Sequence, residues 1–167
     1  PLGCNHDTAT GTYNVYSGTY ESTWTGGNTN YNYFHGAIYA ACKGAVKIEG
    51  GTFKGEYGVA IPYDNVGLKL TISGGDFTQL KKDTINESHK TVSGDNETNT
   101  TLITGGTFSD LNALNYLGES ANVTIKLGKN ATKDVEIPAY CTATIDLNGN
   151  KITNSSSHTI VNRGTLT

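Results

Sequence analysis

The sequence predicts an all-β fold, a parallel β-helix of about six to seven coils with an irregular N-terminal cap. Three observations lead there. A four-residue phrase recurs as Gly50-Gly51-Thr52-Phe53, Gly74-Gly75-Asp76-Phe77 and Gly105-Gly106-Thr107-Phe108, with a looser copy at Ser17-Gly18-Thr19-Tyr20. The apolar markers Ile48, Ile72, Ile103, Ile125, Ile145 and Leu166 are spaced 24, 31, 22, 20 and 21 residues apart, the spacing of a repeat architecture. No long apolar segment has a 3.6-residue period, so arrays that alternate strands with helices are excluded. An all-β sandwich is the competing fold. It would need the Gly-Gly phrases to be hairpin turns and would leave the regular spacing without a cause.

The elements follow in order. Pro1-Leu2-Gly3 reads as the remnant of a protease cleavage site left by expression. Residues 4–45 form the irregular, aromatic-rich cap and first coils. Within them Val15 aligns with Ile48, a polar-aromatic loop runs from Trp24 to His35, and Ala37–Ala41 is a strand candidate. Residues 46–167 carry the regular coils. Alternation such as Val46-Lys47-Ile48 sends Val and Ile inward and Lys outward. Glycine turns each corner with positive φ, and the aromatic after it (Tyr20, Phe53, Phe77, Phe108) points inside and stacks on its neighbours. Second β-like runs are Val59–Ile61, Val135–Ile137 and Thr159–Val161. Residues 79–100 read as a polar loop inserted at one corner, and Asp110–Leu117 as a short helical turn capped by Asp110. Near the end, Ile145-Asp146-Leu147-Asn148-Gly149-Asn150-Lys151-Ile152 is a strand, an Asn-Gly turn and a strand. The chain is expected to be a monomeric piece of a longer protein, cut within its last coil.

Composition bounds the function. Hydrophobic residues are 35% of the chain, enough for a bore one or two side chains wide. The formal net charge is −3 with no basic block, which speaks against nucleic acid. The apolar runs are too short to span a bilayer. Of the three cysteines, Cys4 and Cys42 are the favoured pair because both lie in the N-terminal region, and Cys141 reads as a small buried residue in a strand.

The Gly-Gly-Thr-Phe repeats, Ile145-Asp146-Leu147-Asn148-Gly149-Asn150-Lys151-Ile152-Thr153 and Ile160-Val161-Asn162-Arg163-Gly164-Thr165-Leu166-Thr167 resemble right-handed parallel β-helix regions of the pectate-lyase-like superfamily. More narrowly, they resemble repeat regions of large secreted or wall-attached, adhesin-like proteins of Gram-positive bacteria. The resemblance covers roughly residues 46–167. It implies an extracellular module at the bacterial surface that binds a glycan or a host protein. A minority of the superfamily cleaves polysaccharides, so a lyase or glycoside hydrolase fragment is the alternative, and a purely structural stalk is the second.

Candidate residues divide along these lines. Flat rings among amide side chains suit sugar faces, which selects Trp24, Tyr31, Asn32, Tyr33 and His35. The same rings could instead cap the open end of the β-helix. An enzyme would need two carboxylates about 5–10 Å apart, and Asp76, Asp83 and Asp110 are the candidates. Solvated turn carboxylates are the plainer reading of all three. No cofactor is expected. A Ca²⁺ site from Asp95, Asn96, Glu97 and Asn99 has hard oxygen ligands but no recognised spacing. Cys4, His6, Asp7 and His35 form a weaker metal set. Six Asn-x-Ser/Thr sequons, at Asn86, Asn96, Asn99, Asn122, Asn130 and Asn154, follow from the Asn/Thr-rich composition.

Overall fold

In a computed structural model the chain is described over residues 2–5 (backbone only), 10–24, 36–62, 65–87, 98–154 and 158–167. It is an all-β chain of short strands. In order they are β1 (Leu2–Asn5), β2 (Thr12–Val15), β3 (Thr19–Glu21), β4 (Gly36–Ala41), β5 (Ala45–Ile48) and β6 (Thr52–Gly55). There follow β7 (Tyr57–Ile61), β8 (Lys69–Ile72), β9 (Asp76–Leu80), β10 (Ile85–Glu87), β11 (Thr100–Phe108) and, after a 3₁₀ helix at Leu111–Tyr116, β12 (Leu117–Lys126). The last are β13 (Ala131–Thr132), β14 (Val135–Ile137), β15 (Thr142–Asp146), β16 (Ile152–Thr153), β17 (Ile160–Asn162) and β18 (Thr165–Leu166).

Every strand pairing among the described residues is parallel. Hairpins join antiparallel strands, so the sandwich alternative loses its premise. One sheet runs β1-β4-β7-β10. A second runs β2-β5-β8-β11-β12-β15-β18, with β3, β6 and β9 in line beside it and joining it at β11. Two short sheets, β13-β16 and β14-β17, complete the set. Strands adjacent in a sheet are a whole repeat apart in sequence. Sheet neighbours such as β4 and β7 are separated in the chain by strands of another sheet, β5 and β6.

The recurring glycines divide two tasks. The first of each pair lies against the previous layer's backbone: a Cβ on Gly50 would sit 2.2 Å from the Tyr16 carbonyl oxygen, and one on Gly74 2.3 Å from that of Glu49. The second takes positive φ, +105° at Gly51 and +109° at Gly75, where a side chain would be strained. Its carbonyl then accepts from the next layer, as Asp76 N–H donates to Gly51 O at 2.8 Å and Thr107 N–H to Gly75 O at 2.9 Å. The aromatic rings stack as expected. Tyr20–Phe53, Phe53–Phe77 and Phe77–Phe108 have centroids 5.4, 4.3 and 5.2 Å apart and nearly parallel planes. The three phenylalanines are fully buried. Tyr20, with one ring neighbour in the stack, is partly exposed and donates its hydroxyl to Ser17 O at 2.8 Å.

Several expectations are corrected. The markers hold from Ile48 to Ile72 to Ile103 and again from Ile125 to Ile145, but not across the steps from Ile103 to Ile125 and from Ile145 to Leu166. Ile125 stands against Phe108, and Leu166 against Ala143. The cause is local: β11 runs straight through Gly105-Gly106, while β12 advances from Leu117 to Asn122 as β11 advances from Ile103 to Gly105. The surplus residues bulge out with Ser120 at φ +59°. The inserted loop is shorter than residues 79–100. Gln79 and Leu80 belong to β9, and Ile85–Glu87 pair with Val59–Ile61. The N-terminal stretch is less irregular than expected, because β1 to β4 already take their places in the parallel sheets, Val15 opposite Ile48 among them. Asn148 and Gly149 both have positive φ, 49° and 78°, the hairpin signature. Yet β15 pairs with β12 and β18, and β16 with β13, so the phrase turns a corner. Cys141 is buried but lies one residue before β15, its Sγ 3.2 Å from Gly118 O.

Candidate functional site

One layer breaks the pattern. Where the β4-β7-β10 sheet would continue toward β14-β17, the chain places the 3₁₀ helix instead. Asp110 caps this helix as predicted, its Oδ1 accepting from Asn112 N–H at 3.0 Å and Ala113 N–H at 3.2 Å. Its Oδ2 accepts from Thr84 N–H at 2.9 Å and the Thr84 hydroxyl at 2.7 Å. One buried carboxylate thus ties the start of β10 to the helix that follows it. Burial pushes the Asp110 carboxyl above the usual carboxylate range, against the pull of the Thr84 hydrogen bonds.

A 3₁₀ helix cannot offer a strand's evenly spaced edge groups, so β14 keeps β17 as its sheet partner on one side only. Two clefts open beside the break. The larger, about 490 Å³, has Leu111, Leu114, Val135 and Val161 as its apolar floor and Asn115, Lys133, Asp134 and Glu136 around it. The smaller, about 260 Å³, collects Asp83, Asp110, Asn112, Lys129, Thr132 and Lys133. Lys133 lines both. Its ammonium donates to Asn112 Oδ1 at 2.9 Å, Asn115 Oδ1 at 3.0 Å and Leu111 O at 3.5 Å. Burial holds its pKa below the ordinary lysine value, although Asp110 and Asp83 pull the other way. Tyr116, half-buried beside them, is pushed up by burial first and then by Glu87, Asp110 and Asp83.

The predicted acids divide accordingly. Asp83 and Asp110 meet at the smaller cleft. Asp76 lies opposite Thr52 and Thr107, lines neither cleft, and accepts from its own neighbour Thr78 through N–H at 2.9 Å and hydroxyl at 2.6 Å. With both oxygens of Asp110 committed to four donors, the chemistry there is that of a structural pin. Among the ligand-binding candidates, Trp24 is 53% exposed, and Tyr16 and Tyr13 on the same early layer are 62% and 38% exposed. Tyr31, Asn32, Tyr33 and His35 lie outside the described residues, as do His6, Asp7, Asp95, Asn96, Glu97 and the Cys4 side chain. Cys42 is buried. Asn99 Oδ1 accepts from Leu68 N–H at 3.0 Å and Asn65 Nδ2 at 3.2 Å, which gives it a place in a corner network. Among the described residues, no group of three or more His, Cys, Asp or Glu could hold a metal ion, and no helix is long and apolar enough to cross a membrane.

Sequence reasoning missed Lys133, Asn112, Asn115 and Tyr140. Lys133 sits in a polar connection and carries no pattern. Tyr140 did leave a signal: a bulky ring in Pro138-Ala139-Tyr140-Cys141, between two strand phrases, where a turn favours Gly or Asn. Comparison with family models, curated proteins and solved structures returned no match for the chain.

Proposed function

We propose that the chain is a right-handed parallel β-helix that serves as a non-catalytic recognition module of an extracellular bacterial surface protein, binding a glycan or a host surface protein. The parallel, layer-by-layer register and the stacked interior rings support the β-helix. The observation that carries the binding role is the set of exposed rings on the first layers, Tyr13, Tyr16 and Trp24. Exposed aromatic rings close together in sequence are the side chains that suit contact with a sugar face or a protein partner. The enzymatic alternative draws on Asp83 and Asp110 at one cleft, and the saturation of Asp110 weighs against it.

The test is a binding screen of this chain against a glycan array and immobilised host surface proteins, repeated with Trp24→Ala and Tyr16→Ala. The expected result is a binder whose affinity falls roughly tenfold with either variant, as for an aromatic hot spot. No binder, or one that ignores both substitutions, leaves a structural stalk as the reading.

A further inference from the structure

We infer that the larger cleft, together with Tyr140, is a second binding site that takes a short neutral oligosaccharide. It stands apart from the N-terminal rings and does not depend on them.

The argument starts from β14. Val135 N–H donates to Thr159 O at 3.0 Å, and Ile137 O accepts from Arg163 N–H at 2.9 Å. Val135 and Ile137 therefore turn their main-chain groups toward β17. In a strand the next residue turns the other way, so the Glu136 N–H and C=O face the helix and the cleft. Among the described residues β14 has no second strand beside it on that side. A donor and an acceptor on one residue match the paired donor and acceptor character of neighbouring sugar hydroxyls. With Oδ1 committed to Lys133, the Asn115 NH₂ adds a donor. The floor of Leu114, Val135 and Val161 suits the C–H face of a pyranose.

The second observation is Tyr140. It stands in the turn whose Pro138 lines the cleft, closed by Cys141 N–H to Pro138 O at 3.3 Å. Its φ is +66°, a conformation that glycine adopts freely and tyrosine only under strain, and the residue is 86% exposed. The fold gains no packing from this ring, and its backbone would relax as glycine. An exposed ring two residues from Pro138, which lines the cleft, can serve a ligand there as a stacking platform.

Charge chooses among sugars. Asp134 and Glu136 stand on the rim, Glu136 reaching Arg163 at 3.3 Å. The Lys133 ammonium is spent on two amide oxygens and a carbonyl. A uronate would meet the Asp134 and Glu136 carboxylates with Lys133 already engaged and Arg163 already paired to Glu136, so the site favours uncharged sugars.

The experiment is a titration of the full ¹⁵N-labelled chain with cellotetraose, xylotetraose and mannotetraose, with tetragalacturonate as the anionic arm, followed by amide shifts. At least one neutral tetrasaccharide is expected to shift Glu136, Asn115 and Tyr140 together. Tyr140→Gly should raise thermal stability while weakening that binding roughly tenfold, a combination that a structural role for the ring does not produce. Val161→Trp, which fills the floor, should abolish it. The inference is overturned if no neutral sugar shifts these amides, if tetragalacturonate binds better, or if Tyr140→Gly binds like the parent. Shifts confined to Tyr16 and Trp24 would overturn it too, while leaving the N-terminal reading intact.

Discussion

Replacing Asp110 with alanine tests whether one carboxylate holds the two halves of the molecule in register. Four donors lose their acceptor: Asn112 and Ala113 N–H in the helix, and the N–H and hydroxyl of Thr84, itself 1% exposed. Losing a helix cap costs about 1 kcal/mol. Leaving buried donors unsatisfied costs about 1–3 kcal/mol each, and release of a desolvated carboxylate offsets part of this. A net loss of about 3 kcal/mol is expected, which for a chain of this size lowers the melting temperature by about 6–12 °C. The pH dependence has a definite sign. The folded-state pKa of Asp110 is raised, so the folded state binds its proton more tightly than the unfolded one. The group's contribution is then fully present below the ordinary carboxylate pKa and is lost as pH rises through the elevated folded value. The gap between parent and Asp110→Ala should therefore be wider at acid pH than at neutral. Urea titrations followed by circular dichroism at several pH values measure both quantities. A variant within about 0.5 kcal/mol of the parent, the scatter expected of an ordinary surface substitution, would refute the pinning role, and a gap that narrows on acidification would refute the electrostatics.

Two further expectations concern the repeat itself. Phe77→Ala should cost about 3–5 kcal/mol, since the ring is fully buried between two stacked neighbours. Tyr20→Ala, at the partly exposed end of the stack, should cost under half as much by the same urea titration, and equal costs would mean the stack is not a graded interior. Gly75→Ala combines φ +109° with ring carbons of Phe53 and Phe77 at 3.1 Å, whereas Gly149→Ala has φ +78° and nothing within 4 Å. The first should lower the melting temperature well beyond the second, whose cost is backbone strain of about 1–2 kcal/mol.

How far the sequence carried the fold depends on what repeated. The aromatic stack was legible because Gly-Gly-x-aromatic puts one ring at the same register position of each successive parallel strand, where the rings cover one another. The shift at Ile103 was not legible. Gly105-Gly106 looks like its predecessors, and only the pairing shows β11 passing through it as β12 bulges at Ser120. The Asp110 cap could be read from local sequence, since a cap is a relation across three residues. Its bond to Thr84 spans 26 residues, and the Lys133 bonds to Asn112 and Asn115 span 21 and 18. Such contacts depend on which layer lies on which, and spacing within a polar stretch does not encode that.

The clefts exist for the same reason that the site was hard to read. A sheet that continues from layer to layer presents a pleated face with its edge groups all paired. It has ridges but little concavity, and its backbone is closed to ligands. At residues 111–116 the chain forms a 3₁₀ helix, whose groups bond within the turn, so the neighbouring β14 edge loses its partner. Such a gap destabilises unless polar groups are satisfied on both sides. Asp110 does this toward β10, and Lys133 does it toward the helix carbonyl and the two asparagines. On that side β14 has no strand partner among the described residues, and the cleft there has an apolar lining of Leu111, Leu114, Val135 and Val161. The break is therefore tied at both shoulders, by Asp110 to Thr84 and by Lys133 to the helix.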